Sequence, residues 1–423
     1  MIERINLGQG INFNLIETRK FKTNVLVYYI VRPLNREEVT KNALLPVVLR
    51  RGTEKFQDNL TIHRQLEKLY GAKLAVGVLV RGNKQVIRIS LEFVDSKYLE
   101  DESYIEEILD MLNQVVFKPH RVDGHFKDEI IKNEKKNLKK RIEAKINDKR
   151  DYAIERAIEI MCEGDSFSLP NLGYIEDLED IDSGNLYEHY LDVLATSPME
   201  IFYTGSKNQA IEDYFKNKTF KNRGQLLEFT RENVSEKVDQ VKTVEESLDV
   251  NQGKLVLGYR TGIAYEDRLY LPLLVGNVIL GGGPNSKLFL NVRERESLAY
   301  YIVSRLYKYK SIIMIDGGIE FDKYEKTREI IDQELDKMME GDFTSREIDI
   351  AKKAMVSALE SVDDSIGSMT EMEFDNIISK DRKTIGEKIE DIKKVTREEI
   401  LEACGHIELD TVYFLRNSQK EDK

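Results

Sequence analysis

The chain has 423 residues, 41% apolar and 33% charged, with 64 Lys and Arg against 76 Asp and Glu, a net charge of −12. That length favours two domains of ~200 residues, and the acidic balance argues against an extended nucleic-acid surface while leaving room for local basic stretches. Cys162 and Cys404 are the only cysteines, which excludes a disulfide framework and a Cys-rich zinc site and fits a reducing compartment. The N-terminus lacks the apolar core of a signal peptide, and no window reaches the ~18 uninterrupted apolar residues of a membrane helix. The expectation is a soluble, cytoplasmic protein without a membrane partner.

In chain order, "NVLVYYIVR" (24–32) has the Val/Ile/Tyr content of a strand closed by Pro33. "TIHRQLEKLYGA" (61–72) sets Ile62, Leu66 and Leu69 on one helical face, with Gly71 as a stop. "KLAVGVLVR" and "KQVIRISLEFV" form two strands across a short "GN" turn. Long helices are predicted near 97–115 and 126–163, another near 184–195, and a strand at "MEIFYTG" (199–205). The text from about Asn217 to Glu246 is polar and irregular. Then order resumes with a strand (253–260), an apolar helix ending in glycines (267–283), two strands within 297–321, two helices, and a last strand "TVYFLRN". Strand, helix, two strands, long helices and strand occur twice. The expected class is therefore α+β, with two duplicated domains (1–225 and 251–423, linker 226–250), each an antiparallel-rich sheet on long helices.

Motifs for chemistry are sparse. None of the five histidines sits in H-E-x-x-H or H-x-x-E-H. "KPHRVDGHFKDE" gathers His120, Asp123, His125 and Glu129, but reads as a loop into a helix start capped by Asp123. "LGGGPNSKLF" lacks the Gly-Lys-Ser/Thr order of a phosphate loop and reads as a turn, with Asn285 or Ser286 capping the next helix. "KNEKKNLKKRIEAKINDKR" (132–150) holds nine basic and three acidic residues, either a solvated helix face or a surface for an acidic partner. Few aromatics stand nearby to stack bases, so nucleic acid is not expected. No Gly-x-Ser-x-Gly elbow is present, and the residues alone spell no complete active site.

"NVILGGGPNSKLFLNVRERESLAYYI" resembles the C-terminal domain of the pitrilysin/insulinase-type (inverzincin) zinc peptidases. That family follows an apolar helix and glycine-rich turn with L-F-x-x-[ILV]-R-E and then G-L-x-Y opening a strand. "RRGTEKF" resembles the "KGTEK" of its N-terminal domain, and the likeness spans nearly the whole chain. The resemblance implies a zinc helix at 43–47, but H-x-x-E-H is replaced by Ala43, Leu44, Leu45, Pro46 and Val47. The third ligand, a Glu in the family, falls on Arg141, with Glu134 and Glu143 as alternative registers. Apolar side chains offer no lone pair, so no metal is expected on this chain.

The family's Arg and Tyr, seven residues apart and facing the zinc, match Arg293 and Tyr300; Ser297 stands where glycine is usual. Without the resemblance these two read as a helix-end charge and a packed strand tyrosine. The family includes bacterial heterodimers that divide one site between two chains. The resemblance thus implies a non-catalytic subunit, inactive alone, contributing Arg293 and Tyr300 to a metalloendopeptidase. Zinc would be carried by a partner chain of the same family, and short unfolded peptides would be substrates. The alternative is a degenerate peptidase acting as a peptide-binding or scaffold protein, with a homodimer possible.

Overall fold

In the computed structural model, which describes residues 2–218, 220, 223–234 and 237–418, the chain divides into two compact units. The first spans 1–143, 169–230 and 362–382; the second spans 144–168, 231–361 and 383–423.

The first unit contains strands β1 (Ile2–Gly8), β2 (Ile11–Glu17), β3 (Thr23–Pro33), β4 (Lys73–Arg81), β5 (Lys84–Val94), the short pair β6 (Arg121–Val122) and β7 (His125–Phe126), and β8 (Met199–Gly205). Its sheet runs β1-β2-β8-β3-β5-β4, antiparallel except for β2 beside β8. The second unit contains β9 (Lys242–Leu248), β10 (Gly253–Arg260), β11 (Ala299–Tyr307), β12 (Ile312–Ile319) and β13 (Glu408–Asn417). Its sheet runs β11-β12-β10-β13-β9, antiparallel except for β13 beside β9. Taken from β2 in one sheet and β9 in the other, the succession of pairings and polarities is the same. The expected duplicated α+β architecture is present.

Both sheets are covered on both faces, which explains runs of apolar residues without alternation. Every residue of β3 from Asn24 to Arg32 is buried. Leu26, Tyr28 and Ile30 join the main core beneath the helices Val39–Leu49 and Tyr104–Phe117. Val25, Val27, Tyr29 and Val31 face the other way, with Phe202 and with Phe374 of the helix Ile366–Ile378. In the second unit, Leu255, Leu257, Ile313 and Ile315 meet the helices Tyr270–Gly281 and Arg397–Cys404. Val256, Met314, Tyr413 and Leu415 meet Ala153, Ala157 and Met161 of the helix Lys149–Met161. Each sheet thus has one helix on its second face. The first unit's is drawn from far downstream in the chain, the second's from far upstream.

Several local expectations are corrected. The helix predicted over 126–163 is two helices, Asp128–Ala144 and Lys149–Met161. Asp148 adopts an extended backbone and its carboxylate accepts the N–H groups of Arg150 and Asp151, so it starts a new helix. Asp123 is no helix cap. With φ of +52° followed by Gly124 at +88°, it forms the two-residue turn of the β6–β7 hairpin, as Asp-Gly favours. The helix predicted near 97–115 is Tyr104–Phe117, preceded by one 3-10 turn. The end of the stretch read as irregular, Lys242–Leu248, is β9, with strictly alternating exposure. Among the described residues no helix is long and apolar enough to cross a membrane.

Candidate functional site

The segment carrying Arg293 is a π-helix, Phe289–Arg295, in which the Glu296 N–H donates to the Asn291 carbonyl five residues back. Such wide turns recur at functional sites because they displace a side chain from the regular helical face. Ser286 starts the segment as expected, its Oγ accepting the Phe289 N–H at 3.4 Å. Leu288 and Val292 are fully buried and anchor the turn in the core. Arg293 leaves on the other side, its guanidinium 4.6 Å above the Phe289 ring and its side chain 42% exposed. Upstream, Gly281 lets the Tyr270–Gly281 helix lie against β11, since a Cβ there would come within 2.7 Å of the Ser304 nitrogen.

Ser297 turns the chain into β11 with φ of +52°. A left-handed serine costs about 1–2 kcal/mol that glycine avoids, offset partly by glycine's greater freedom when unfolded. Ser297→Gly is therefore expected to stabilise the protein by about 0.5–1 kcal/mol, checked as an increased urea midpoint. An unchanged or lowered midpoint would show that the serine is not strained.

Tyr300 is the extra residue of a β-bulge: Ala299 pairs with Ile319 and Tyr301 with Gly318, leaving Tyr300 without a partner of its own. Bulges re-aim side chains, and Tyr300 is 63% exposed. It is not a packed strand tyrosine. Its neighbour Tyr301 is clamped, with the Arg150 guanidinium 4.4 Å and the Lys254 ammonium 5.3 Å from its ring centre. Arg150 in turn pairs at 2.6 Å with buried Asp316. The clamp fixes the strand on one side of the bulge. Burial pushes the Tyr301 phenol well above its ordinary value.

In the first unit, the helix Val39–Leu49 ends just before Gly52 and Thr53, where the resemblance places a zinc helix. Ala43 and Pro46 are buried, Val47 partly so. Pro46 lies inside the helix and has no N–H to give the Asn42 carbonyl. Asn42 is held through its side chain instead, donating to Gln85 Oε1 at 3.0 Å and meeting His189 Nε2 at 2.8 Å. Glu134 is buried and pairs with Arg51 at 2.7 Å. Arg141 is exposed and, among the described residues, has no hydrogen-bond or ion-pair partner. Methyl and methylene groups at 43, 46 and 47 donate nothing to a metal, and a guanidinium at 141 repels one. These residues do not fit zinc.

Elsewhere, one cluster went unnoticed in the sequence. Glu38, His189 and Asp192 place possible ligand atoms within 4.8 Å of one another. The cation among them is protein: the buried Arg32 guanidinium lies 2.7 Å from Glu38 and 2.9 Å from Asp192. Glu38 and Asp192 stand 6 and 160 residues from Arg32 in the chain, so no local pattern announced the group. Burial, with repulsion from Arg32 and Lys41, pulls His189 down to about 3. An unfolded histidine takes up a proton near pH 6.5, so the unfolded chain binds more protons between about pH 6.5 and 3. Stability is full above that window and falls as pH drops through it. The loss should reach about 4 kcal/mol at the acid end, and His189→Gln should flatten this part of the pH–stability curve. An unaltered acid slope in the variant would assign the loss to other groups.

His120, Asp123, His125 and Glu129 do not converge as a group of ligands, and His125 packs edge-on to Tyr187. Burial pushes Cys162 up to about 11 and Cys404 up to about 12, which suits inert core thiols. Lys287, the only basic residue of the glycine turn, is turned to Glu347 at 3.4 Å.

Comparison with known proteins agrees with this inventory. Residues 180–355 match the peptidase M16 inactive domain. The chain is 34% identical over 412 residues, 97% of its length and 96% of the relative's, to the probable inactive metalloprotease YmfF of Bacillus subtilis. It is 26% identical over 242 residues, 56% of this chain and 57% of the other, to the uncharacterized zinc protease YmxG of the same organism. A crystal structure of a conserved protein from Enterococcus faecalis V583 superposes with a TM-score of 0.89 at 29% identity, covering all of both chains. The chain therefore belongs to the M16 peptidase family, as one of its inactive, non-catalytic members.

Proposed function

We propose that this chain is the non-catalytic subunit of a heterodimeric zinc endopeptidase, supplying Arg293 and Tyr300 to bind peptide in a site completed by a zinc-bearing chain of the same family. The observation that carries the reading is the treatment of Tyr300. A bulge in β11 leaves it without a cross-strand partner and largely exposed, seven residues after an arginine on a π-helical turn. Both devices interrupt regular structure, which a purely structural role would not require. A phenol and a guanidinium so presented can donate to the carbonyl oxygen of a peptide as negative charge develops there. The zinc and the general base belong to the partner, because this chain has apolar groups in their places.

The test is to purify the chain alone and together with an M16 chain from its own cells that carries H-x-x-E-H, and to follow cleavage of short unstructured peptides. Cleavage by the pair but by neither chain singly supports the proposal. Proteolysis by this chain alone, or by the zinc-bearing chain at undiminished rate without it, would sink it. A stable homodimer that binds peptides and recruits no zinc-bearing chain would instead identify a degenerate, peptide-holding scaffold.

A further inference from the structure

The two sheets differ at one edge. In the first unit β2 runs parallel to β8 on one side and is covered on the other by β1, which pairs antiparallel with it from Ile2 opposite Ile16 to Gly8 opposite Ile11. In the second unit β9 takes the place of β2 and runs parallel to β13, yet it ends the sheet. Residues 231–233, which precede it, are engaged elsewhere. Arg231 pairs with Glu266 and lies over the Tyr265 ring, and the Asn233 carbonyl accepts from Lys310 Nζ at 3.5 Å. Among the described residues, the main chain of β9 hydrogen-bonds to no other main chain than β13 and the adjoining Ser418.

Which groups face outward follows from the ladder. The Leu248 carbonyl accepts the Ser418 N–H at 3.1 Å, so Leu248 is turned toward β13. The N–H and C=O of one strand residue point to the same side, and that side alternates along the chain. Lys242, Val244 and Glu246 therefore also bond inward, while Thr243, Glu245 and Ser247 turn theirs to the outer edge. The side chains of these three are exposed as well. Natural edges are blunted by proline, a bulge or unpaired charge. β9 contains no proline, its ladder with β13 runs without a bulge, and Glu245 is matched by Arg416 at 3.0 Å.

We propose that the outer edge of β9 pairs antiparallel with the same strand of a second copy of this chain, joining their five-stranded sheets across a two-fold axis. The strand is complementary to itself. About an axis at Val244, Thr243 of one copy stands opposite Glu245 of the other, and exposed Val241 stands opposite Ser247. These are the outward-turned residues, so each such pair exchanges two main-chain hydrogen bonds. Lys242 and Glu246 keep their own partners, Glu163 and Arg156, and face each other across the junction as opposite charges. An axis at Glu245 would instead set that carboxylate against its own copy. β11, with Tyr300, is the opposite edge of the sheet, so the pairing leaves it free and does not depend on the function proposed above.

The test is sedimentation equilibrium of the full chain over a dilution series, where a monomer–dimer equilibrium is expected. Thr243→Pro removes one outward N–H from each copy at a position where the sheet itself needs none. It should raise the dimer dissociation constant about 10-fold, with the melting temperature of the monomer unchanged. Thr243→Glu leaves the main chain alone and sets a carboxylate opposite Glu245 twice, so it should weaken the dimer by a similar factor. Thr243→Lys sets opposite charges there and should not. A chain that stays monomeric at every concentration, or a dimer equally tight in the proline and glutamate variants, would overturn the pairing.

Discussion

Arg293→Ala and Tyr300→Phe are each expected to lower peptide turnover about 100-fold in the complex with the zinc-bearing chain, without loss of assembly. A single donor to a developing oxyanion is worth about 10²–10³ in rate, because it acts on charge that appears only in the transition state. Tyr300→Phe removes one hydroxyl and keeps the ring, so the bulge and the clamp on Tyr301 remain. Arg293→Lys should rescue poorly, since an ammonium offers a point charge rather than a planar fork. Neither side chain is buried, so melting temperature should be little changed. Full turnover in both variants would leave the pair without a catalytic part, whatever the complex does.

The second large effect is on folding. Phe374→Ala is expected to destabilise the protein by about 3–5 kcal/mol, the usual loss for a buried aromatic ring. Phe374 is fully buried, its ring lies 4.0 Å from that of Tyr29 at 13°, and Phe202 meets it edge-on. The Tyr29 hydroxyl also donates to Glu371, one turn earlier on the same helix, at 2.9 Å. Denaturant unfolding followed by circular dichroism measures the loss. A change below about 1 kcal/mol would mean that the Ile366–Ile378 helix contributes little to holding its sheet, contrary to the usual cost of such a truncation.

How much of this was legible in the sequence depended on whether the cause was local. The strands at 24–32, 73–81, 84–94, 199–205 and 253–260 announced themselves through β-branched and aromatic runs, and the apolar helix before the glycines through its length. The Asp123–Gly124 turn was also written locally, yet an Asp shortly before a helical run reads equally as a helix cap, and that reading displaced the hairpin dipeptide. β9 was hidden because an edge strand with one exposed face carries Lys242, Glu245 and Glu246, which read as loop. The Arg32–Glu38–Asp192 group joins distant segments and has no periodic trace. For the candidate site, the residues at 43–47 and at 293 and 300 could be named from family resemblance. What resemblance could not supply was the π-helical turn or the bulge at Tyr300. Both depend on backbone hydrogen bonding rather than on the order of side chains.

The two helices drawn from opposite ends of the chain have a consequence for dissection. The path passes between the units five times, at the boundaries 143/144, 168/169, 230/231, 361/362 and 382/383. One scission between the halves would leave each fragment carrying the helix that roofs the other's sheet and lacking its own. Severed halves would therefore have bare apolar strands on one side, and neither gene half could serve as a free-standing module.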